Sequence, residues 1–318
     1  MCCGALGGCY LARMRLLPAL LFLAALHVAA QDKRVVITID DLPCISCSGR
    51  PWDQVTDDLL RTLKEHRVPA IGFVNEDKLE VEGELDSARY HLLERWLDAG
   101  MELGNHTYAH RGATRTTAAE FEQDVVQGER HLRPLLQRHG QELRYFRHPF
   151  LQTGATPQRR DSLNDMLARY GYIVAPVTFD NDEYIYAYCY DHACRAEDDS
   201  TMRLLAEGYL TYMADVTRFH EQQARDFFGR DIPHILLIHA NTLNAAQLDG
   251  LLTWFEQEGY RFISLEEALK DACYQLPEAT TRYGFSWIRR WQLASGQKPP
   301  WPPEIPQEIQ KRYDALRN

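Results

Sequence analysis

The feature that most constrains this chain is an alternation running along nearly all of it. Short apolar, β-branched runs recur, each separated from the next by a longer segment of helical periodicity. The first run, Val35-Val36-Ile37-Thr38-Ile39, reads as a buried strand. Residues 53–67 then place Val55, Leu59, Leu60 and Leu63 on one helical face. Strands are expected at residues 69–74, 101–103, 143–146, 172–179, 234–238 and 261–263. Helices are expected at 87–99, 117–139 (bent or broken at Pro134), 157–170, 198–228, 245–258 and 265–272, with Gly100 and Gly171 as C-terminal stops. Residues 181–197, rich in tyrosine, read as a polar loop. Parallel strands need long crossovers, usually helical, so this order specifies βα units. A length of 318 residues suits one α/β barrel of about 250 residues plus extensions. Seven strands fit a distorted or incomplete (β/α) barrel better than a complete eightfold one.

Polar residues recur where these strands end: Asp40, Asp41, His106, Arg147, Asp180 and His239. A carboxylate at the end of an apolar strand is costly to desolvate without a partner. Active sites of βα barrels lie at that end of the strands, so the six residues converge on one candidate site. His106 and His110 are four apart, and an aspartate is a reasonable third metal ligand. A catalytic zinc has three protein ligands and an open position; it acidifies bound water and polarises a carbonyl.

Charge and the termini narrow the partners. A net charge of -10 argues against binding the nucleic-acid backbone, which needs a basic surface. Arg13 and Arg15 precede an apolar run over residues 16–30 that ends in Val28-Ala29-Ala30, the layout of a secretory signal peptide. The run is too short for a comfortable membrane span, and Met14 could serve as initiator. Cleavage after residue 30 would remove both arginines and no acid, taking the charge from -10 to -12. The expected protein is therefore periplasmic or secreted, with no stable membrane span after cleavage. In an oxidising compartment the close pairs Cys44/Cys47 and Cys189/Cys194 suggest disulfides, paired locally or across, with Cys273 left over. Three domains follow: a signal peptide (1–30), the barrel (31–275) and a proline- and tryptophan-rich extension (276–318). The extension's aromatics suit packing more than sugar binding. Oligomeric state is not legible.

The strand-end motifs resemble those of the polysaccharide deacetylase (NodB-homology) family, carbohydrate esterase family 4. Thr38-Ile39-Asp40-Asp41 is similar to the family's Thr-Phe-Asp-Asp. His106-Thr107-Tyr108-Ala109-His110 matches His-Ser/Thr-x-x-His, and Arg147-His148-Pro149-Phe150 matches Arg-x-Pro-Phe/Tyr. Leu237-Ile238-His239 matches Leu-x-His, whereas Asp180-Asn181-Asp182-Glu183-Tyr184 follows Asp-x-x-Asp-Trp only loosely. The resemblance implies that Asp41, His106 and His110 hold a divalent ion, zinc by preference with cobalt or nickel as substitutes. It implies Asp40 as general base towards metal-bound water, Arg147 as its ion-pair partner, His239 as general acid and Asp180 as the group tuning His239. Pro149, Phe150, Tyr184 and Leu237 would line the substrate site. The implied activity is deacetylation of an N- or O-acetylated polysaccharide. A non-catalytic carbohydrate-binding protein, a hydrolase of small non-peptide amides and a thiol oxidoreductase on Cys44-x-x-Cys47 are the alternatives. Glu183-Tyr184 replaces Asp-Trp in the motif that should shape the acyl pocket.

Overall fold

A computed structural model describes residues 1–5, 7–8 and 32–317; most of the expected signal segment lies outside the described residues. The compact unit is Gln31–Asn318. Its strands are β1 (Arg34–Leu42), β2 (Ile71–Val74), β3 (Glu80–Val81), β4 (Glu84–Leu85), β5 (Glu102–Asn105), β6 (Tyr145–Phe146), β7 (Ile173–Val174), β8 (Pro233–His239) and β9 (Arg261–Phe262). β3 and β4 form a small antiparallel hairpin. The other seven make one parallel sheet in the order β7-β6-β5-β2-β1-β8, with β9 pairing the start of β1. After β7 the chain crosses to the other end of the sheet. Thr178 donates to the Ile235 carbonyl at 3.0 Å, and Leu237 donates to that of Phe179 at 3.3 Å. A segment that leaves β6 thus finishes on β8, curling the sheet into the distorted barrel expected of the sequence.

β1 is buried on both faces, which explains its unbroken apolar run. Val35, Ile37 and Ile39 pack with the helix layer. Val36 meets Ile71, Phe73, Tyr145, Ala175 and Ile235 in a separate cluster. By this alternation Thr38 and Asp40 share the face of Val36.

The helices are α1 (Trp52–Glu65), α2 (Ser87–Asp98), α3 (Ala118–Gln127), α4 (Leu132–Arg138), α5 (Pro157–Arg169), α6 (Glu183–Arg195), α7 (Asp199–Phe228), α8 (Thr242–Gln257), α9 (Leu265–Leu269), α10 (Trp287–Ala294) and α11 (Gln307–Arg317). Two expectations need correction. The long helix breaks after Gln127 rather than at Pro134, which sits in the first turns of α4. A Cβ on Gly128 would lie 2.6 Å from the Thr107 carbonyl carbon, so the helix stops where the His106–His110 loop crosses it. The supposed loop after Asp180 contains α6, two of whose tyrosines, Tyr186 and Tyr190, are core residues. Tyr186 packs against Tyr209 and Tyr212, with ring centroids 6.3 and 5.7 Å away.

Cys44 and Cys47 form a disulfide. Cys189 and Cys194 do not, because both lie on α6, where a five-residue offset turns side chains to different sides. Cys194 donates to the Gly49 carbonyl instead, at 3.3 Å, and Cys273 is a buried free thiol. Towards the C-terminus, Trp291 of α10 packs on Phe228 of α7, and Tyr313 of α11 on Tyr184 and Tyr188 of α6. Among the described residues no helix is long and apolar enough to cross a membrane.

Candidate active site

Asp40 and His239 are register partners on adjacent parallel strands, so their side chains leave the sheet on one face. Asp41 would point to the opposite face if β1 stayed regular. Its φ of 66° and the irregular β1–β2 register between Ile39 and Leu42 break the alternation and bring its carboxylate to the same site.

β5 delivers His106, and the loop that follows delivers His110. Two residues of this loop take left-handed backbone, Thr107 (φ 68°) and His110 (φ 52°), a cost the surroundings must hold in place. Asn105 Oδ1 accepts from Thr107 N–H at 2.7 Å, and its amide donates to the Val125 carbonyl at 2.9 Å. The buried Asp124 carboxylate accepts from Ala109 N–H at 3.0 Å and Arg111 N–H at 3.2 Å. Asp41, His106 and His110 end with one ligand atom each, all within 4.8 Å of one another. His106 Nε2 lies 3.9 Å and His110 Nε2 3.8 Å from Asp41 Oδ1.

The protonation states suit a cation. Burial drives the His106 pKa well below its usual value, with the neighbouring His110 adding to the effect. Burial also lowers that of His110. His106 Nδ1 lies 2.8 Å from the Arg147 carbonyl, which can only accept, so Nδ1 carries the proton and Nε2 keeps its lone pair. Burial works against an ionised Asp41, but nearby positive charge, Lys78 first and His239 among the rest, outweighs it and holds the carboxyl well below the usual range. Asp41 Oδ1 is buried without a hydrogen-bond partner; its nearest cation is Lys78 Nζ at 3.2 Å. Two neutral imidazoles and a carboxylate with an unsatisfied oxygen fit a divalent ion.

Beside this trio, Asp40 Oδ2 is 3.5 Å from Arg147 Nη1 and 3.7 Å from His106 Nε2. Burial raises the Asp40 pKa to about 6, with Arg147 and His239 pulling the other way. Arg147 is fully buried, donates to Thr38 Oγ1 at 2.9 Å and lies over the Phe73 ring. His239 Nδ1 is 3.0 Å from Glu183 Oε1, which also accepts from His239 N–H at 2.8 Å and Asn244 Nδ2 at 2.8 Å. Burial opposes the imidazolium, yet Glu183 outweighs it and pushes the His239 pKa up to about 9.

The partner of His239 is thus Glu183, not Asp180. Asp180 accepts backbone N–H groups of Asn181 and Ser286 and interacts electrostatically with Arg147 and Arg290; burial raises its pKa to about 6. Of the residues expected to line the substrate site, Phe150 is 52% exposed and its ring is 4.5 Å from that of His110. Tyr184 is 46% exposed in the first turn of α6. Pro149 and Leu237 are buried, Leu237 in a cluster with Leu151, Val177 and Trp287. His148 is buried among Phe121 and Phe146, and burial lowers its pKa to about 3. Sequence reasoning missed Glu183, Asp124 and Lys78. Glu183 had a signal in the Asp-x-x-Glu spacing, whereas Asp124 looks like any acid on an amphipathic helix.

Comparison with known proteins fits this geometry. Residues 27–172 match the family model described as polysaccharide deacetylase. No curated protein matches. Among solved structures, a mutant of the Bacillus anthracis BA3943 protein, described as a CE4 family pseudoenzyme with restored enzymatic activity, superposes with a TM-score of 0.50 at 19% identity, covering 75% of this chain and 68% of that one. A family 4 carbohydrate esterase from Streptomyces lividans in complex with acetate gives 0.47 at 18%, over 75% and 97% of the two chains. The polysaccharide deacetylase Bc1974 from Bacillus cereus gives 0.48 at 18%, over 73% and 91%. The first of these carries the fold likeness. The motifs at residues 38–41, 106–110 and 147–150 all fall inside the family match, so this stretch is where the chain is similar to polysaccharide deacetylases.

Proposed function

We propose that this protein is an exported, metal-dependent hydrolase that removes acetyl groups from an acetylated glycan. The observation that carries the reading is the meeting of Asp41, His106 and His110 beside a base–arginine pair and a histidine paired with the buried Glu183. Asp41, His106 and His110 would hold the ion, with zinc preferred for this donor set. A divalent ion there supplies Lewis acidity, polarising the acyl carbonyl and acidifying a water. Asp40 takes a proton from the attacking water, and Arg147 keeps its carboxylate charged and oriented. His239, held as imidazolium by Glu183, gives its proton to the departing nitrogen or oxygen; an amide nitrogen leaves poorly without one. Phe150 and Tyr184 would contact the substrate, with Pro149 and Leu237 supporting the walls behind them. The domain division at residues 30 and 275, with cleavage of a signal peptide, belongs to the same reading.

The test is acetate release from chitin oligomers, peptidoglycan fragments and acetylxylan, with zinc, cobalt or nickel supplied. Metal-dependent release that chelator and Asp40→Asn both abolish is expected. Activity surviving both treatments would overturn the assignment.

A further inference from the structure

We infer that the C-terminal extension builds a second sugar-binding subsite beside the reaction centre, with Trp301 as its stacking surface and Asp182 as its hydroxyl acceptor. This rests on the glycan reading of the site above. The extension reaches the site at two points. Gly284 packs so tightly on the Phe150 backbone that a Cβ there would lie 1.9 Å from the Phe150 carbonyl oxygen, and Phe150 in turn packs on His110. Ser286 Oγ donates to the Thr178 carbonyl at 2.8 Å, fixing the strand end that carries Asp180.

Between these anchors and residues 299–302 lies a cleft of about 200 Å³. Asp180, Asp182, Phe285, Arg289 and Trp301 are among the residues that line it. Asp180 belongs to both places, since it also interacts electrostatically with Arg147. Trp301 is 64% exposed, an unusual state for a tryptophan in a folded chain. Its ring is nevertheless held. The Arg289 guanidinium lies 3.7 Å from the ring centroid on one face, and Phe285 meets it edge-on at 5.6 Å. Arg289 is tied in turn to the carbonyls of Pro299 and Pro300 at 3.2 and 2.8 Å. A rigid, oriented aromatic face left open to solvent is pre-organised for an apolar ring surface.

The polar side of the cleft suits hydroxyl groups. No side-chain donor reaches the Asp182 carboxylate in any hydrogen bond seen among the described residues, although its backbone N–H is bound by Tyr212. The C–H face of a pyranose on Trp301 and its hydroxyls on Asp182 would satisfy both surfaces at once. Such a ligand is a neutral sugar unit of the same glycan, flanking the unit that loses its acetyl group. An extension of this kind selects for chain length, because a single sugar at the reaction centre cannot reach it.

The test uses the full metal-loaded protein and Trp301→Ala, Trp301→Tyr and Asp182→Asn variants. Two substrates are compared: N-acetylchitopentaose and the small ester p-nitrophenyl acetate. Trp301→Ala should lower the ratio of kcat/KM for the pentamer to that for the ester about tenfold, mostly through KM, as expected for loss of one anchoring aromatic. Trp301→Tyr should restore most of that ratio, and Asp182→Asn should lower it severalfold. An unchanged ratio in Trp301→Ala overturns the subsite. Wild-type protein inactive on both substrates overturns the hydrolase reading, not the subsite. Pentamer binding by calorimetry then decides the subsite: loss in Trp301→Ala supports it, and equal affinity refutes it.

Discussion

Replacing Glu183 by glutamine tests how the fold sets the charge of His239. Glu183 is fully buried, and its Oε1 faces His239 N–H, His239 Nδ1 and Asn244 Nδ2 at 2.8, 3.0 and 2.8 Å. Glutamine keeps the shape and one acceptor but removes the charge. Burial alone lowers a histidine pKa, so the present value of about 9 against an ordinary 6.5 reflects Glu183 more than any other group. That displacement corresponds to about 3 kcal/mol of preference for the imidazolium. With the charge gone, the pKa should fall to about 6.5, the ordinary histidine value. At pH 8 the protonated fraction, and with it the rate of a step needing a proton from His239, should then drop about thirtyfold. At pH 6 the loss should be less than about twofold, because most of the imidazole is still protonated there. The assay is a pH profile of kcat/KM for acetate release, paired with an NMR titration of the His239 ring. An alkaline limb left in place in Glu183→Gln would refute the reasoning, whatever the variant's overall rate.

Further expectations concern the loop that carries the histidines and the intact enzyme. Asp124→Asn weakens the acceptor for Ala109 and Arg111 N–H, so metal affinity by chelator competition should fall about 10–100-fold, the usual loss when a ligand's support is removed. Gly128→Ala puts a methyl group against the Thr107 backbone and should cost about 1–3 kcal/mol in urea unfolding, with weaker metal binding as well. Wild-type activity should rise as Asp40 ionises through a pKa of about 6 and fall as His239 loses its proton near 9. A bound cation beside both groups lowers each limb, so an acid limb well above 6 would count against Asp40 as the base.

The alternation of strands and helices was legible because the central strands β1, β2, β5 and β8 are buried on both faces and the helices mainly on one, leaving unmistakable periodicities. The candidate ligand trio Asp41, His106 and His110 was legible because it lies in two short motifs. What carried no signal is tertiary. Residues 183–195 read as a loop since tyrosines and cysteines are not the usual residues of a core helix, yet Tyr186 is completely buried against α7. The helix break at Gly128 comes from a loop 20 residues earlier in the chain pressing on it, which no local pattern records. Glu183 displaced Asp180 as partner of His239 because α6 starts at Glu183 and turns that carboxylate towards β8. Lys78 beside Asp41 was invisible for the same reason: a lysine in a polar stretch reads as surface until the fold brings it to a buried carboxylate.

That lysine also sharpens the measurement bearing most directly on the central claim. Crystals of the protein soaked with zinc and recorded across the zinc absorption edge should show one strong anomalous peak between Asp41, His106 and His110. Ligand distances should be about 2.0–2.2 Å, with Lys78 moved off Asp41 Oδ1. No peak there at full soaking, with Lys78 still on the carboxylate, would contradict the account.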